Sequence, residues 1–199
     1  MIKMESLFAT FAPVIRSHST MPHVELEFRF GKMNRGRFDT NVGKETYERT
    51  LKNLAKYTGW EKTSKSEDTI YYGLNGRRAV CNPETGDVKR VVKNRVRVVD
   101  HPQEGQPFDV RLGISTEVPY EPAEEEEVFE ETKSRVRHSF TRKNLVIDVS
   151  AIQGSPDDPD CDEDMSYQIE LEIIDPSNIG DDQTLYNLMH KVFDVMRIT

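Results

Sequence analysis

The fold is decided by one stretch of sequence, Val24-Glu25-Leu26-Glu27-Phe28-Arg29-Phe30-Gly31, in which apolar and charged residues alternate without a break. Successive side chains of a β-strand point to opposite faces. The stretch therefore predicts a strand with one apolar face and one charged face. The charged face carries Glu25, Glu27 and Arg29.

A second stretch with the same alternation, residues 167–173, lies near the other end of the chain. Its polar face carries Gln168, Glu170 and Glu172. If the two strands are neighbours in the fold, two Glu-x-Glu pairs come together. Such a group of carboxylate oxygens suits a hard divalent cation. The sequence therefore predicts a metal site between the two strands.

Basic residues at alternate positions mark further strands. Lys133, Arg135 and Arg137 stand two residues apart, so in a strand all three point the same way. Residues 77–81 and 87–99 are predicted to form a hairpin, because the sequence between them is rich in turn-forming residues. The first arm carries Arg78. The second arm carries four bases at odd-numbered positions, which a regular strand would turn to the same face: Lys89, Lys93, Arg95 and Arg97.

The rest of the chain supplies more strands, three helices and two acidic loops. Short strands are predicted at 60–63, 68–73, 108–118 and 144–152, and loops at 32–42, 121–131 and 153–164. Amphipathic helices are predicted at 1–17, 44–58 (with Gly59 as its C-terminal cap) and 181–197.

About eight strands with few helices indicate an antiparallel barrel or a sandwich. In the barrel, charged faces turned inward would line a tunnel, and buried charges of one sign are costly unless they are balanced. Mixed bases and acids, a divalent cation and a polyphosphate would balance such an interior. The alternative is an ordinary amphipathic sheet whose charged faces are exposed to solvent.

Composition excludes several classes of protein. With 199 residues the chain is expected to be one domain, 1–199, and its net charge of -8 argues against a general nucleic-acid binder. Two cysteines in unrelated contexts make a disulfide framework unfavourable. No signal peptide or long apolar run is seen, so we expect a soluble intracellular protein without a membrane segment. There is no phosphate-binding Gly-x-x-x-x-Gly-Lys loop, and the histidines have no zinc-like spacing.

The two Glu-x-Glu stretches resemble the glutamate motifs of metal-dependent RNA 5′-triphosphatases of the fungal, protozoal and viral type, which are triphosphate tunnel metalloenzymes. Four segments between them match that family in order, and the resemblance spans about residues 22–175. They are the hairpin with Arg78 and Lys93, the strand Asp109–Pro119 with Glu117, the basic strand Thr132–Val136, and Ile147–Ser150.

The resemblance implies a mainly β fold with a few flanking helices, built on a closed eight-stranded antiparallel β-barrel. It implies Mg²⁺ or Mn²⁺ as cofactor and Glu117, Lys133 and Arg135 as catalytic residues, with Glu117 orienting or activating the attacking water. The implied metal ligands are Glu25, Glu27, Glu170 and Glu172. The implied phosphate-binding residues are Arg29, Arg78, Lys93, Arg95, Lys133, Arg135 and Arg137, with Asp148 and Ser150 in support.

The implied reaction is removal of the γ-phosphate from 5′-triphosphate RNA ends, the first step of mRNA capping, with NTP hydrolysis in addition. A guanylyltransferase, fused or associated, is the expected partner, and no membrane is involved. The expected location is the cytoplasm or nucleus, or the virion or viral factory if the source is a virus.

The chain departs from the family pattern at four positions. Glu131 and Val146 stand where the family usually has a base, Ser150 stands where it has a threonine, and Gln168 stands where it has an acid. Arg137, two residues beyond the matching basic segment, supplies a further base. Two other functions stay open. One is a tunnel phosphatase for inorganic or small-molecule triphosphate, and the other is a non-enzymatic polyphosphate-binding barrel.

Overall fold

The computed structural model describes residues 4–122, 128–154 and 165–199. Three α-helices span Met4–His18 (α1), Lys44–Ala55 (α2) and Asp182–Ile198 (α3). The strands are Val24–Asn34 (β1), Arg37–Asp39 (β2), Lys62–Gly73 (β3), Arg77–Cys81 (β4), Val88–His101 (β5), Asp109–Pro119 (β6), Phe129–Arg142 (β7), Leu145–Gln153 (β8) and Ser166–Ile173 (β9). Short 3-10 turns lie at Leu74–Gly76 and Pro176–Asn178.

Eight of these strands close into one antiparallel barrel, which confirms the predicted fold class. Their order around the wall is β1-β6-β5-β4-β3-β7-β8-β9, and β9 pairs back with β1. The closing register sets Glu27 opposite Glu172 and Arg29 opposite Glu170. The two Glu-x-Glu strands are therefore direct neighbours, as the metal-site prediction requires. The short β2 pairs with the C-terminal end of β1.

The main hydrophobic core lies outside the barrel wall, between the wall and the three helices. Phe28 and Phe30 on β1 are fully buried, and the Phe28 ring meets the Phe11 ring of α1 edge to face, with centroids 5.3 Å apart. Leu171 on β9 and Met189 on α3 belong to the same apolar cluster. Because the apolar rows of β1 and β9 face the helices, the alternate charged rows of these strands must face the interior.

The helices cover one half of the wall, formed by β1, β6, β8 and β9, and α1 also contacts His101 at the end of β5. On the other four strands the buried apolar side chains are Ile70, Ala79, Val91 and Phe140. Apart from the end of β5, the outer faces of those strands are more polar and more accessible to solvent. Within the described residues, no helix is both long and apolar enough to cross a bilayer.

Several predicted boundaries are wrong for identifiable reasons. The strands predicted at 60–63 and 68–73 are one strand, β3, because it pairs with β7 from Lys62 to Gly73. Helix α2 ends at Ala55, and Gly59 does not cap it. Instead, the indole N–H of Trp60 donates a 2.9 Å hydrogen bond to the carbonyl of Leu54.

Two of the predicted loops contain regular structure. Strand β1 continues to Asn34 and forms a hairpin with β2, within the loop predicted at 32–42. Strand β7 begins at Phe129, inside the acidic loop predicted at 121–131. Residues 123–127 of that loop, and residues 155–164 of the loop predicted at 153–164, lie outside the described residues.

A β-bulge in β5 changes the direction of one predicted base. The register with β6 shifts between Arg95, opposite Ser115, and Arg97, opposite Ile114. Val96 is the extra residue, and a bulge of this kind reverses the parity beyond it. Arg97 therefore shares the outer face with Ile114, and the prediction that it shares a face with Lys93 is wrong.

We predict that Phe28→Ala lowers the free energy of unfolding by roughly 3–5 kcal/mol, because it removes a fully buried ring from the core between barrel and helices. Urea denaturation measures this change. Leu74→Ala is the control, since Leu74 is 56% exposed, and it is expected to change stability by less than about 0.5 kcal/mol. Equal small effects would contradict the placement of the core outside the wall.

Candidate active site

The register turns one row of polar side chains from each strand into the barrel. Strands β1 and β9 bring Glu27 and Glu172 face to face, and β8 brings Asp148 opposite Glu170. Strands β3 and β7 bring Asp68 opposite Arg135. The inward rows carry all the sequence-predicted site residues, namely Glu25, Glu27, Arg29, Arg78, Lys93, Arg95, Glu117, Lys133, Arg135, Arg137, Asp148, Ser150, Glu170 and Glu172.

One cluster of charges lies where β1, β8 and β9 meet. The Arg29 guanidinium binds Glu27 through Nε at 2.7 Å and Nη2 at 3.0 Å, and its Nε lies 3.2 Å from Glu170. Arg137 binds Asp148 at 2.9 Å and approaches Glu170 at 3.7 Å. Glu170 is therefore held between two arginines, whereas Glu172 forms no ion pair within the described residues.

A second cluster joins β1, β5 and β6. The Lys93 ammonium is in contact with Glu25 and lies 3.3 Å from Glu117. The hydroxyl of Ser115 donates a 2.6 Å hydrogen bond to Glu25, and Lys89 lies 3.0 Å from the other oxygen of Glu117. Lys93 thus bridges a predicted metal ligand and the predicted water-orienting carboxylate.

A third group, on β3, β4 and β7, carries most of the predicted phosphate-binding bases. Arg135 donates a 2.9 Å hydrogen bond to Asp68. The Arg78 guanidinium carbon lies 5.1 Å, and the Lys133 ammonium 5.5 Å, from the centre of the Tyr72 ring. Lys133 also lies 2.8 Å from Glu131. Glu131, which replaces a base of the family pattern, is therefore paired with Lys133.

Sequence analysis missed three polar residues in the interior. Asp68 and Ser66, which are bonded at 2.9 Å, and Tyr72 share the inward row of β3. Their alternation (Ser66, Asp68, Ile70, Tyr72) was obscured because the segment was divided into two short strands. A single strand across 62–73 would have revealed it.

Arg95 reaches the interior side of the wall by its register opposite Ser115. Its side chain is exposed and forms no ion pair within the described residues. It differs in this from Lys93 and Arg135, which are 13% exposed. The structure therefore puts Arg95 on the predicted face without bringing it into the buried clusters.

The acids differ in how strongly their charge is stabilised. Burial, followed by the nearby charge of Glu170, raises the pKa of Glu27 well above its ordinary value. Burial, with the charge of Glu25, raises the pKa of Glu172 to about 7. Burial opposes ionisation of Glu170 as well, but Arg29 and the other surrounding donors outweigh it and lower its pKa to about 2.

The inward carboxylates of β1 and β9 have the charge and the oxygen ligands that suit a divalent cation. No three acidic, histidine or cysteine side chains in the described part of the chain are arranged to hold a metal ion as they stand. Glu25 is turned to Lys93 and Glu27 to Arg29. Burial nevertheless raises the pKa of both Glu27 and Glu172, so a bound cation would favour their charged forms. Carboxylate oxygens are the ligands that Mg²⁺ and Mn²⁺ prefer.

Three buried donors point to an acceptor-rich ligand. Arg135 Nε, Arg137 Nε and Ser150 Oγ are buried and have no hydrogen-bond partner among the described residues. A buried donor left unsatisfied costs about 1–3 kcal/mol. All three lie in the inward rows of β7 and β8, so one ligand rich in anionic oxygen can reach them together.

The sequence of residues 60–198 matches the family model of the mRNA capping enzyme, beta chain, the mRNA triphosphatases. The chain belongs to this family. The prediction of an mRNA-capping RNA triphosphatase is therefore confirmed. The reaction of mRNA triphosphatases is hydrolysis of the γ-phosphate at the 5′-triphosphate end of RNA, the first step of capping.

Solved structures agree with this mRNA triphosphatase assignment at the level of the fold. The S. pombe Pct1 RNA triphosphatase superposes with a TM-score of 0.78 at 16% identity, covering 100% of this chain and 93% of that one. The RNA triphosphatase domain of a mimivirus mRNA capping enzyme superposes with a TM-score of 0.68 at 17% identity, covering 98% and 99%. A search of curated proteins found no match to the sequence.

We predict that Glu172→Gln stabilises the metal-free protein. The pKa of Glu172 is about 7 in the folded protein, above its value in the unfolded chain. The folded state therefore loses stability as the pH rises from the unfolded-state pKa to about 7, and the full loss is present above pH 7. The variant should therefore gain roughly 2–3 kcal/mol at about pH 8 and much less at about pH 5. Denaturation in EDTA at the two pH values measures this.

Glu170→Gln is the matched control, with the opposite sign. Its pKa of about 2 means that ionised Glu170 stabilises the fold above the unfolded pKa and loses this effect only as pH falls toward 2. This variant should therefore be less stable than the parent protein at both pH values. Stabilisation of both variants, or of neither, would contradict the electrostatic assignment.

Proposed function

We propose that this chain removes the γ-phosphate of 5′-triphosphate RNA ends in a reaction that depends on Mg²⁺ or Mn²⁺, and that it hydrolyses free NTPs as well. The observation that carries the proposal is the pairing of two features inside one closed barrel. Buried donors without partners lie on β7 and β8, and two carboxylates whose charged forms are disfavoured by burial face each other on β1 and β9. A triphosphate with its cation satisfies both features at once.

The cation would be held by Glu25, Glu27 and Glu172, with Glu170 beside them. Bound there, it would neutralise charge on the γ-phosphoryl oxygens. Glu170 already forms an ion pair with Arg29 at 3.2 Å and approaches Arg137 at 3.7 Å. We therefore assign it a smaller share in the metal site and a larger one in orienting the two arginines. Lys93 and Arg29 would turn from the carboxylates to the phosphates as the cation binds.

The phosphates would be bound by bases around the rest of the wall. Arg135 and Arg137 offer planar forks that match two phosphate oxygens, whereas Lys133 acts as a point charge. Asp68 and Asp148 orient these arginines at 2.9 Å each. Ser150 completes this face through its unpaired hydroxyl. Arg29, Arg78, Lys93 and Arg95 contribute the remaining positive charge.

Glu117 would position the attacking water. The surrounding burial opposes its charge, but Lys93 and Lys89 outweigh that effect and lower its pKa. A carboxylate with a lowered pKa is a weak base. Its role is therefore to accept a hydrogen bond from water and hold it in line, rather than to remove a proton in advance. This fits phosphoryl transfer, in which positioning and charge stabilisation dominate.

In the cell, the diphosphate end left by this reaction is the acceptor for cap addition, so we propose a guanylyltransferase, fused or associated, as partner. That reaction favours the site of transcript synthesis as the location, the nucleus or, for a viral protein, the viral factory. The alternative substrate is inorganic triphosphate, which presents the same anionic oxygens to the buried donors of β7 and β8.

We predict that Glu27→Ala and Glu172→Ala each abolish metal-dependent release of the γ-phosphate, because each removes a carboxylate from the proposed metal site. The measurement is phosphate release from γ-labelled triphosphate RNA with Mg²⁺, with Mn²⁺ and with EDTA. Circular dichroism confirms that the variants are folded. Turnover retained in either folded variant would remove the metal assignment.

We also predict that Arg135→Ala lowers kcat for triphosphate RNA strongly, on the order of 100-fold or more, as expected for loss of a positioned charge on the phosphoryl group. Lys65→Ala is the matched control. Lys65 lies between the two short strands predicted at 60–63 and 68–73. In the structure it belongs to β3, on the face opposite that of Ser66, and pairs with Glu67 at 2.7 Å. Equal losses in the two variants would show that the inward row is not the binding face.

A further inference from the structure

The inward rows of five strands become less acidic toward one end of the tunnel. We call the end at which β1 finishes the hairpin end. In an antiparallel barrel, β3, β5 and β8 finish there too, whereas β4, β6, β7 and β9 begin there. Toward that end the inward row changes from an acid to a base on two strands, from Glu25 to Arg29 on β1 and from Glu117 to Arg111 on β6. On three other strands it changes from an acid to an uncharged residue: from Asp68 to Tyr72 on β3, from Asp148 to Ile152 on β8, and from Glu172 to Gln168 on β9.

The acids of the inward rows that lie near the hairpin end are engaged. Glu131 pairs with Lys133 at 2.8 Å, and Asp100 binds Arg111 at 2.6 and 2.9 Å. Asp109 accepts hydrogen bonds from two backbone N–H groups. Glu172, which has no ion pair within the described residues, lies farther from this end than Gln168 does.

This gradient orients the substrate, an argument that rests on the proposed function. The γ-phosphate must lie at the carboxylates, where the cation would be held. The α-phosphate and the ribose then lie toward the less acidic half of the tunnel. The RNA chain consequently leaves the tunnel at the hairpin end.

A hairpin stands at this end, made of the last residues of β1, a two-residue turn and β2. Arg35 (φ 48°) and Gly36 (φ 79°) form the turn between Asn34 and Arg37, and two positive φ values are the mark of a type I′ turn. At Gly31 an added Cβ would lie 2.1 Å from the carbonyl oxygen of Asp39 and 2.7 Å from the Phe38 ring. The glycine of the opening motif therefore lets β2 pack directly against β1.

The hairpin has the chemistry of a single-stranded RNA site. Arg35 and Arg37 are exposed and form no ion pair within the described residues, although the chain has a net charge of -8. The Arg111 guanidinium lies 4.5 Å from the centre of the Phe38 ring, which fixes that ring beside the mouth. A cavity of about 580 Å³ is lined by Asn34, Arg35, Arg37, Phe38 and Asp39. Unpaired arginines and an accessible aromatic ring are the groups on which RNA backbones and bases bind.

We propose that the β1–β2 hairpin binds the RNA immediately downstream of its triphosphate end, with Arg35 and Arg37 on backbone phosphates and one base stacked on Phe38. The hairpin thereby distinguishes an RNA end from a free triphosphate. Catalysis itself stays with the residues inside the barrel.

The test compares Arg35→Ala/Arg37→Ala with the parent protein on inorganic triphosphate, on ATP and on a short 5′-triphosphate RNA. For the RNA, KM should rise several-fold with kcat unchanged, and the slope of log KM against log salt should fall by about 1.4, or 0.7 for each lost phosphate contact. Inorganic triphosphate should be hydrolysed as before. The matched control, Lys44→Ala/Lys52→Ala, removes two exposed lysines from α2 and should leave all three substrates unaffected.

Phe38→Leu tests the stacking contact separately, because leucine keeps an apolar group over Gly31. We expect KM for RNA to rise by about 5- to 100-fold, the loss of one base–aromatic stack. Phe38→Tyr should retain the parent value, and the melting temperatures of both variants confirm folding.

The outcomes separate the two proposals. An RNA-specific effect of the arginine pair supports the hairpin site. Equal effects on RNA and inorganic triphosphate, or no effect on RNA, overturn it while leaving the proposed function standing. If the parent protein releases no phosphate from any substrate, the proposed function fails. Fluorescence anisotropy with labelled 5′-triphosphate RNA in EDTA then still decides whether Arg35 and Arg37 contribute to binding.

Discussion

The structure depends on one electrostatic constraint, namely that charges enclosed by the barrel must be balanced inside it. Acids and bases cannot reach water freely from the inward rows, so each must find a partner of opposite sign, and unpaired charge appears as a shifted pKa. The balance succeeds around Glu170, which lies between two arginines. Burial still disfavours the charged form of Glu27, despite its two bonds to Arg29, and that of Glu172, which has no ion pair within the described residues. The site thus holds carboxylates that a cation would stabilise, within reach of bases that have unused donors.

That constraint also explains why the core lies outside the wall. A barrel whose interior is occupied by charges cannot bury its apolar rows there, so Phe28 and Leu171 require partners on the outer surface. The three helices supply those partners. The helices thus support the site from outside, since they pack on the apolar rows of β1 and β9, the two strands whose pairing brings Glu27 opposite Glu172.

The alternation of the opening motif was sufficient to predict the inward residues of β1, and the same reasoning succeeded for β6, β7, β8 and β9. It failed where a local irregularity breaks the period of two. The bulge at Val96 turns Arg97 outward, and no residue there signals a bulge. Charge pairing was beyond prediction, because the link between Lys93 and Glu25 depends on the order of strands in space. Asp68 was missed because its strand was divided in two. The gradient of charge along the tunnel needs the direction of every strand and could not be derived without the fold.

The helices cover only half of the wall, and this has a consequence for how the sequence can vary. Outward positions on β1, β6, β8 and β9 must stay apolar to pack on the helices, whereas outward positions on β3 and β5 meet solvent and need only suit a strand. Substitutions are therefore tolerated unequally around the circumference, and the solvent-facing arc is free to acquire new surfaces without disturbing the chemistry inside. The sequence of one side of the barrel is constrained by packing against the helices, and that of the other side can change more freely.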